Sequence, residues 1–232
     1  MDSYLGKYWS NKEQARRALY AAFGINIVGT GDIYLVKKSD DDDYNEWLRM
    51  MPSANVVTTI TKAVAACTSG RGDIIVVSPG TYTEAVALNK NDVKIVGLGA
   101  TPHATLIDGD GSIAITITGV DCKLENLHIK TSGAAIVCVY GTGLVGGPMI
   151  DNCDFTQIEL TSKACVEIAG ATTRGVRVTN CNFLGANSGA DALNLTGKQA
   201  FIYGNTSEDL NTTEGTCFGS TSYHTGSNNL AV

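Results

Sequence analysis

Apolar and polar positions alternate along the chain in short runs that each stop at a glycine. "ITITG" ends at Gly119, "VCVYG" at Gly141, "VEIAG" at Gly170 and "LNLTG" at Gly197, at spacings of 22, 29 and 27 residues. Strict alternation is the signature of a strand with one face buried. A second set of phrases lies between these runs: "LENLHI", "IDNCDF", "VTNCNF" and "IYGNTS", in which Asn126, Asn152, Asn180 and Gly204 follow one another at 26, 28 and 24 residues. Self-similarity at such a period predicts stacked structural units.

Two interleaved families of strands with a shared period predict an all-β fold, a single-stranded right-handed parallel β-helix. Alternation assigns the inward side chains: Ile115 and Ile117, Val137 and Val139, Val166 and Ile168, Leu193 and Leu195 in one family, and Leu124, Ile150, Val178 and Ile202 in the other. The outward residues of the first family are then Thr116, Cys138, Glu167 and Asn194, which share no chemistry. Asn126, Asn152 and Asn180 predict an internal ladder in which each amide bonds the backbone of the next turn and so satisfies buried polar groups.

The N-terminal third reads differently. "SNKEQARRALYAAFG" carries a capping box, Ser10 with Glu13, and a glycine stop at Gly24, which predicts a helix over 10–23. "IYLVKKSDDDDYNEWLRMM" is a strand followed by an acidic turn, with Asp40 to Asp43 read as solvated and not as a Ca²⁺ loop. A further helix over 56–67 precedes the buried strand "DIIVV" and the turn "SPGTYTEAV". The division is therefore an N-terminal attachment or oligomerisation segment, 1–50, and a solenoid, 51–232. At the far end, "EGTCFGSTSYHTG" either crosses the last coil or leaves that end to a partner, because bare strand edges invite aggregation.

Composition narrows the classes. With 44% apolar and 17% charged residues the chain is globular. A net charge of −6 without a Lys/Arg cluster excludes nucleic acid as the partner. No apolar run is long enough to cross a membrane, and the start lacks the pattern of a signal peptide, which places assembly in a cytoplasm. Seven cysteines without a C-x-x-C pair read as small apolar fillers, although Cys153 and Cys181 share a coil position at which a disulfide is geometrically allowed. No cofactor and no metal site is expected.

The succession "TITKAVAACTSGRGDIIVVSPGTYTEAV", "VKIVGLG" and "TLIDGDG" resembles the opening of the pectin-lyase-like right-handed β-helix superfamily, over about residues 54–207. The resemblance implies that the helix over 56–67 caps the N-terminal end of the core. Many members of that superfamily are polysaccharide lyases, hydrolases or pectin esterases. The same stretch is similar to β-helix proteins of tailed bacteriophage virions, in which an N-terminal segment attaches to the particle and the helix projects, commonly as a trimer.

Catalytic chemistry on a glycan needs paired carboxylates. Glu125 and Asp151, at equivalent positions of adjacent coils, are the best pair the sequence offers, although Thr179 and Tyr203 continue their row without acidic character. Arg174 and Arg177 read as surface residues, and His103, His128 and His224 are dispersed. The expected function is therefore that of a virion structural protein without catalytic activity, a capsid decoration or short head fibre, with a homotrimer, the phage capsid and a surface glycan as partners. Tyr4, Tyr8, Trp9 and Trp47 would be its interface anchors. The alternative is a carbohydrate-active enzyme, a polysaccharide lyase or glycoside hydrolase, or a glycan-binding tailspike-type module.

Overall fold

The computed structural model describes residues 31–45, 48, 51–132, 137–143, 146–157, 164–169, 174–185, 191–196, 199–208, 218–220, 224–225 and 230–231. The helix expected over 10–23 and the anchors Tyr4, Tyr8, Trp9 and Trp47 lie outside these residues. Three all-parallel sheets wind into a solenoid, and each turn of the chain visits them in the order A, B, C. A typical turn runs from Lys123–Glu125 in sheet A to His128–Thr131 in sheet B and Val139–Thr142 in sheet C.

The repeat therefore holds three strands where sequence periodicity showed two. Phrases such as "IDNCDF" are each a corner between a strand of sheet A and one of sheet B. Asn126, Asn152 and Asn180 make that corner with φ of 54°, 50° and 55°, and Gly204 takes the fourth place with φ 68°. Asparagine and glycine are the residues that tolerate the left-handed region, so this one position in each copy marks a bend and not a strand.

In-register pairing turns the alternation of single strands into continuous columns inside the coil. Ile75, Ile95, Leu124, Ile150, Val178 and Ile202 form the column of sheet A. Tyr82, Ile107, Ile129, Phe155 and Phe183 form that of sheet B, where the two phenylalanine rings stack at 4.8 Å. Val86, Ile115, Val139, Val166 and Leu193 line sheet C. These side chains join one buried core.

Six cysteines, Cys67, Cys122, Cys138, Cys153, Cys165 and Cys181, are buried free thiols. Burial pushes Cys67 up to about 12 and Cys122 up to about 11, which makes them unreactive at neutral pH.

The helix at the N-terminal end, α1 (Ile60–Ala66), is shorter than the expected 56–67. Val56–Val57 is instead a strand in register with Leu35 and Val36, because β-branched Val56 and Val57 favour extended backbone. Thr59 is the N-cap and accepts from the Lys62 amide. Ile60, Ala63, Val64 and Cys67 enter the core and close its first turn.

Two carboxylates fasten this end. Glu84 of "GTYTE" accepts from the amides of Ile60 and Thr61 at 2.9 Å each, and from the Thr61 hydroxyl at 2.6 Å. Asp73 of "GRGD", fully buried, accepts from the amides of Asp32 and Thr68 and from Arg71, while Arg71 also pairs with Asp32 at 2.7 Å. Burial opposes the charge on Asp73, but hydrogen bonds from Arg71, Thr68 and Asp32 outweigh it and hold the carboxyl below its usual range.

Ile33–Val36, inside the stretch read as an attachment segment, is a strand of sheet A and pairs with Ile74–Val77. The acidic turn that follows is tied down, since Lys37 pairs with Asp41 at 3.1 Å and Asp43 at 2.7 Å. At the far end, Phe218–Ser220, His224–Thr225 and Leu230–Ala231 pair with the preceding strands of sheets C, A and B. These described strands add a further coil.

Asp73→Ala would strand the Asp32 and Thr68 amides and leave Arg71 to Asp32 and the Tyr34 hydroxyl. It should cost about 3–5 kcal/mol, the usual consequence of removing one partner of a buried ion pair. Urea denaturation followed by circular dichroism measures this, and a loss below about 1 kcal/mol would show that the buried carboxylate is not what closes the first turn.

Candidate functional site

The outer face of sheet A is divided in two. On its early strands Ile33, Leu35, Ile74, Val76 and Val96 form a second apolar cluster with Met51 and Val56, and Tyr44 and Leu48 pack against it. Beyond Val96 the same column becomes polar: Glu125, Asp151, Thr179 and Tyr203 follow in register. Beside it runs a column of Lys94, Lys123, Met149, Arg177 and Phe201. The cover thus ends where the functional chemistry of the face begins.

Glu125 and Asp151 are brought side by side, as their equivalent positions predict, with strands about 4.8 Å apart. Their surroundings differ. Glu125 lies between Lys94 at 2.8 Å and Lys123 at 2.7 Å. Burial raises its pKa, but the two ammonium groups together outweigh that and hold the carboxyl below its ordinary value. Asp151 Oδ1 accepts from the Thr179 hydroxyl at 2.6 Å and from the Asn180 amide at 3.1 Å. Both bonds fall on one oxygen. A two-carboxylate glycosidase needs one partner that holds a proton near neutral pH, and Glu125 is biased the opposite way.

Arg177, read from sequence as an isolated surface residue, stands on this face two positions before Thr179 and in register with Met149 and Phe201. Phe201 and Tyr203 are 40% and 42% exposed, unusual for rings of that size, with centroids 6.2 Å apart and planes inclined by 23°. Alternation puts both on the outer side of one strand, with Ile202 buried between them. The residues Arg177 to Phe201 and Thr179 to Tyr203 are each 24 apart, so aligning the columns would have found this platform in the sequence.

Other expected positions shift. Cys138 is fully buried and does not face outward, because it lies at a bend before the strand Val139–Thr142. The outward row of sheet C is therefore Thr116, Tyr140, Glu167 and Asn194. The asparagine ladder is a chain along the outer corner and not an internal one. Asn126 donates to the carbonyls of Gly97 and Gly99, Asn152 to the Asn126 side chain, and Asn180 to Asp151. Asn152 and Asn180 are exposed. A fully buried amide that also bonds the neighbouring turn's backbone is Asn205, through the Cys181 amide and the Val178 carbonyl.

The histidines are not all dispersed, since His103 and His128 meet on sheet B with Nδ1 atoms 3.2 Å apart. Burial, and then the charge of His103, pull His128 down to about 4. Among the described residues no group of three or more His, Cys, Asp or Glu gathers as a metal site.

No protein family and no curated protein matches the sequence. Solved structures with a similar backbone include pectin methylesterases. Pectin methylesterase PemA from Erwinia chrysanthemi superposes with a TM-score of 0.51 at 13% identity, over 78% of this chain and 55% of that one. A pectin methylesterase in complex with a hexasaccharide gives 0.46 at 15%, over 75% and 54%, and pectin methylesterase from carrot 0.38 at 10%, over 89% of each.

The chain spans a little over half the length of the Erwinia enzyme. At this identity the likeness defines the class as a fold alone: an all-β parallel β-solenoid. It corrects the expectation of a virion structural protein without catalytic activity, because the Erwinia backbone that this one resembles is that of a carbohydrate-active enzyme. The phage resemblance read from the opening stretch is a property of the solenoid's first turn, whose buried Asp73, Glu84 cap and helix serve closure and carry no information about a particle.

Glu125 contributes stability that is fully present above the ordinary carboxylate value of about 4.3 and is lost as pH falls through its lowered folded value. Thermal melts from pH 7 to pH 2 should show a smaller acid-side fall for Glu125→Gln than for the parent. Identical pH profiles would remove the two-lysine clamp from the description.

Proposed function

We propose that the chain is a carbohydrate-active β-solenoid that binds an acidic, ester-bearing polysaccharide across the outer face of sheet A and hydrolyses the ester, with Asp151 as the reacting carboxylate. The coil is taken as right-handed, the hand of nearly all parallel crossovers. The observation that carries the reading is the exposed, stacked Phe201 and Tyr203 pair beside Arg177 and Asp151. Sugar rings present apolar C–H faces that stack on aromatic rings, and a uronate carboxylate suits a guanidinium fork.

The reaction class follows from protonation. Glu125 is held ionised between its lysines and supplies no proton, which disfavours cleavage of a glycosidic bond by an acid and base pair. Ester hydrolysis needs a carboxylate to attack the carbonyl carbon or to take a proton from water, and a cation near the oxyanion. Asp151 Oδ2 fills the first role and Arg177 the second. Thr179 and Asn180 fix the carboxylate through its other oxygen.

Methanol release from methyl-esterified pectin, with binding to the de-esterified polymer measured in parallel, tests the reading. Asp151→Asn should lower turnover by at least about 10³-fold and leave binding intact. Phe201→Ala should weaken binding by about tenfold, from the loss of roughly 1.4 kcal/mol of stacking. An intact protein that neither binds acidic polysaccharides nor releases methanol overturns the proposal.

A further inference from the structure

On sheet B, away from the carbohydrate face, two imidazoles confront each other through the same atom. His103 lies on the turn Pro102–Ala104 and His128 opens the strand His128–Thr131. Their Nδ1 atoms are 3.2 Å apart and the rings are nearly perpendicular, at 78°. Each outer nitrogen is already held by an oxygen: His103 Nε2 faces Asp154 Oδ2 at 3.1 Å, and His128 Nε2 faces Thr156 Oγ1 at 2.9 Å. A carboxylate accepts only from an N–H, and a hydroxyl accepts readily from one. With the protons on both Nε2 atoms, both Nδ1 atoms carry lone pairs and point them at each other.

Two lone pairs at that distance repel unless a cation lies between them. Bonds of about 2.0–2.1 Å in a tetrahedron place neighbouring ligand nitrogens about 3.3–3.4 Å apart, close to the spacing seen here. Oxygen acceptors on the far nitrogens are the arrangement that orients metal-bound histidines and raises their basicity. The nearby cation Lys130 is matched by Asp108 at 3.0 Å, so the charge around the pair is balanced. His103, with a side chain 65% exposed, is free to turn toward a bound ion, whereas His128 is fixed by its strand.

We propose that His103 and His128 bind one late first-row divalent cation, with Zn²⁺ as the type, through their two Nδ1 atoms. Asp154 and Thr156 hold the rings from behind, and water completes the coordination. Imidazole nitrogen suits Zn²⁺ and Ni²⁺, and the soft thiolate alternatives in this chain are buried among the described residues.

Calorimetric titration of the full chain with Zn²⁺ at pH 7.5, with Ni²⁺ as a second probe, should show one equivalent bound. His103→Ala and His128→Ala should each weaken binding at least tenfold, and Asp154→Asn by about tenfold, the usual effect of losing such a support. His224→Ala should leave affinity unchanged. Nitrogen chemical shifts of the imidazoles should move at Nδ1 and not at Nε2 on adding Zn²⁺. Circular dichroism melts confirm that each variant is folded, and His128→Gln, which keeps a polar side chain on the strand, replaces His128→Ala if the latter unfolds. No binding by the parent protein, or parent affinity in both histidine variants, overturns the proposal and leaves a shared proton as the only bridge.

Discussion

The corner between sheets A and B is the constraint on which the structure depends. At this corner of four successive turns one residue adopts a left-handed backbone, Asn126, Asn152, Asn180 and Gly204, and each bend sends the next strand along sheet B at the same height as the one before. A bend at a constant place holds the strands in register. Register then stacks like on like: Leu124 on Ile150 on Val178 inside, and Glu125 beside Asp151 beside Thr179 outside. A one-residue slip would reverse both faces at once, so the corner determines core and site together.

The second constraint is closure. A solenoid stacks without an inherent end, and its first turn exposes apolar columns unless something covers them. Here α1 covers the core, while Tyr44, Leu48 and Met51 cover the outer face of sheet A as far as Val96. Ionic bonds secure both, through Glu84 on the helix amides and Asp73 among Arg71 and two backbone amides. The "GRGD" and "GTYTE" phrases serve this closure, and among the described residues the apolar cover stops at Val96.

That open face shows how environment separates like residues. Glu125 and Asp151 have the same charge and adjacent positions, yet one is locked between two lysines and the other is held through a single oxygen by a hydroxyl and an amide. The stacked aromatic pair and Arg177 extend the same surface, so groups suited to an anionic sugar lie along one line of columns.

Periodicity alone revealed that the chain coils, which residues face inward, and that Glu125 and Asp151 are neighbours, because these follow from alternation and a near-constant repeat. It did not reveal the third sheet, since a strand, a bend and a second strand share one short phrase. It also misplaced Cys138, which lies at a bend just before its strand, and it read the three asparagines as an internal ladder, although Asn152 and Asn180 are exposed and the fully buried Asn205 bonds the neighbouring turn instead. Register across turns was needed to set Arg177 against Phe201, and a turn 25 residues away in sequence was needed to bring His103 onto His128. Local alternation is written into single strands, whereas pairings between coils depend on loop lengths that vary from turn to turn, and only the folded chain decides those.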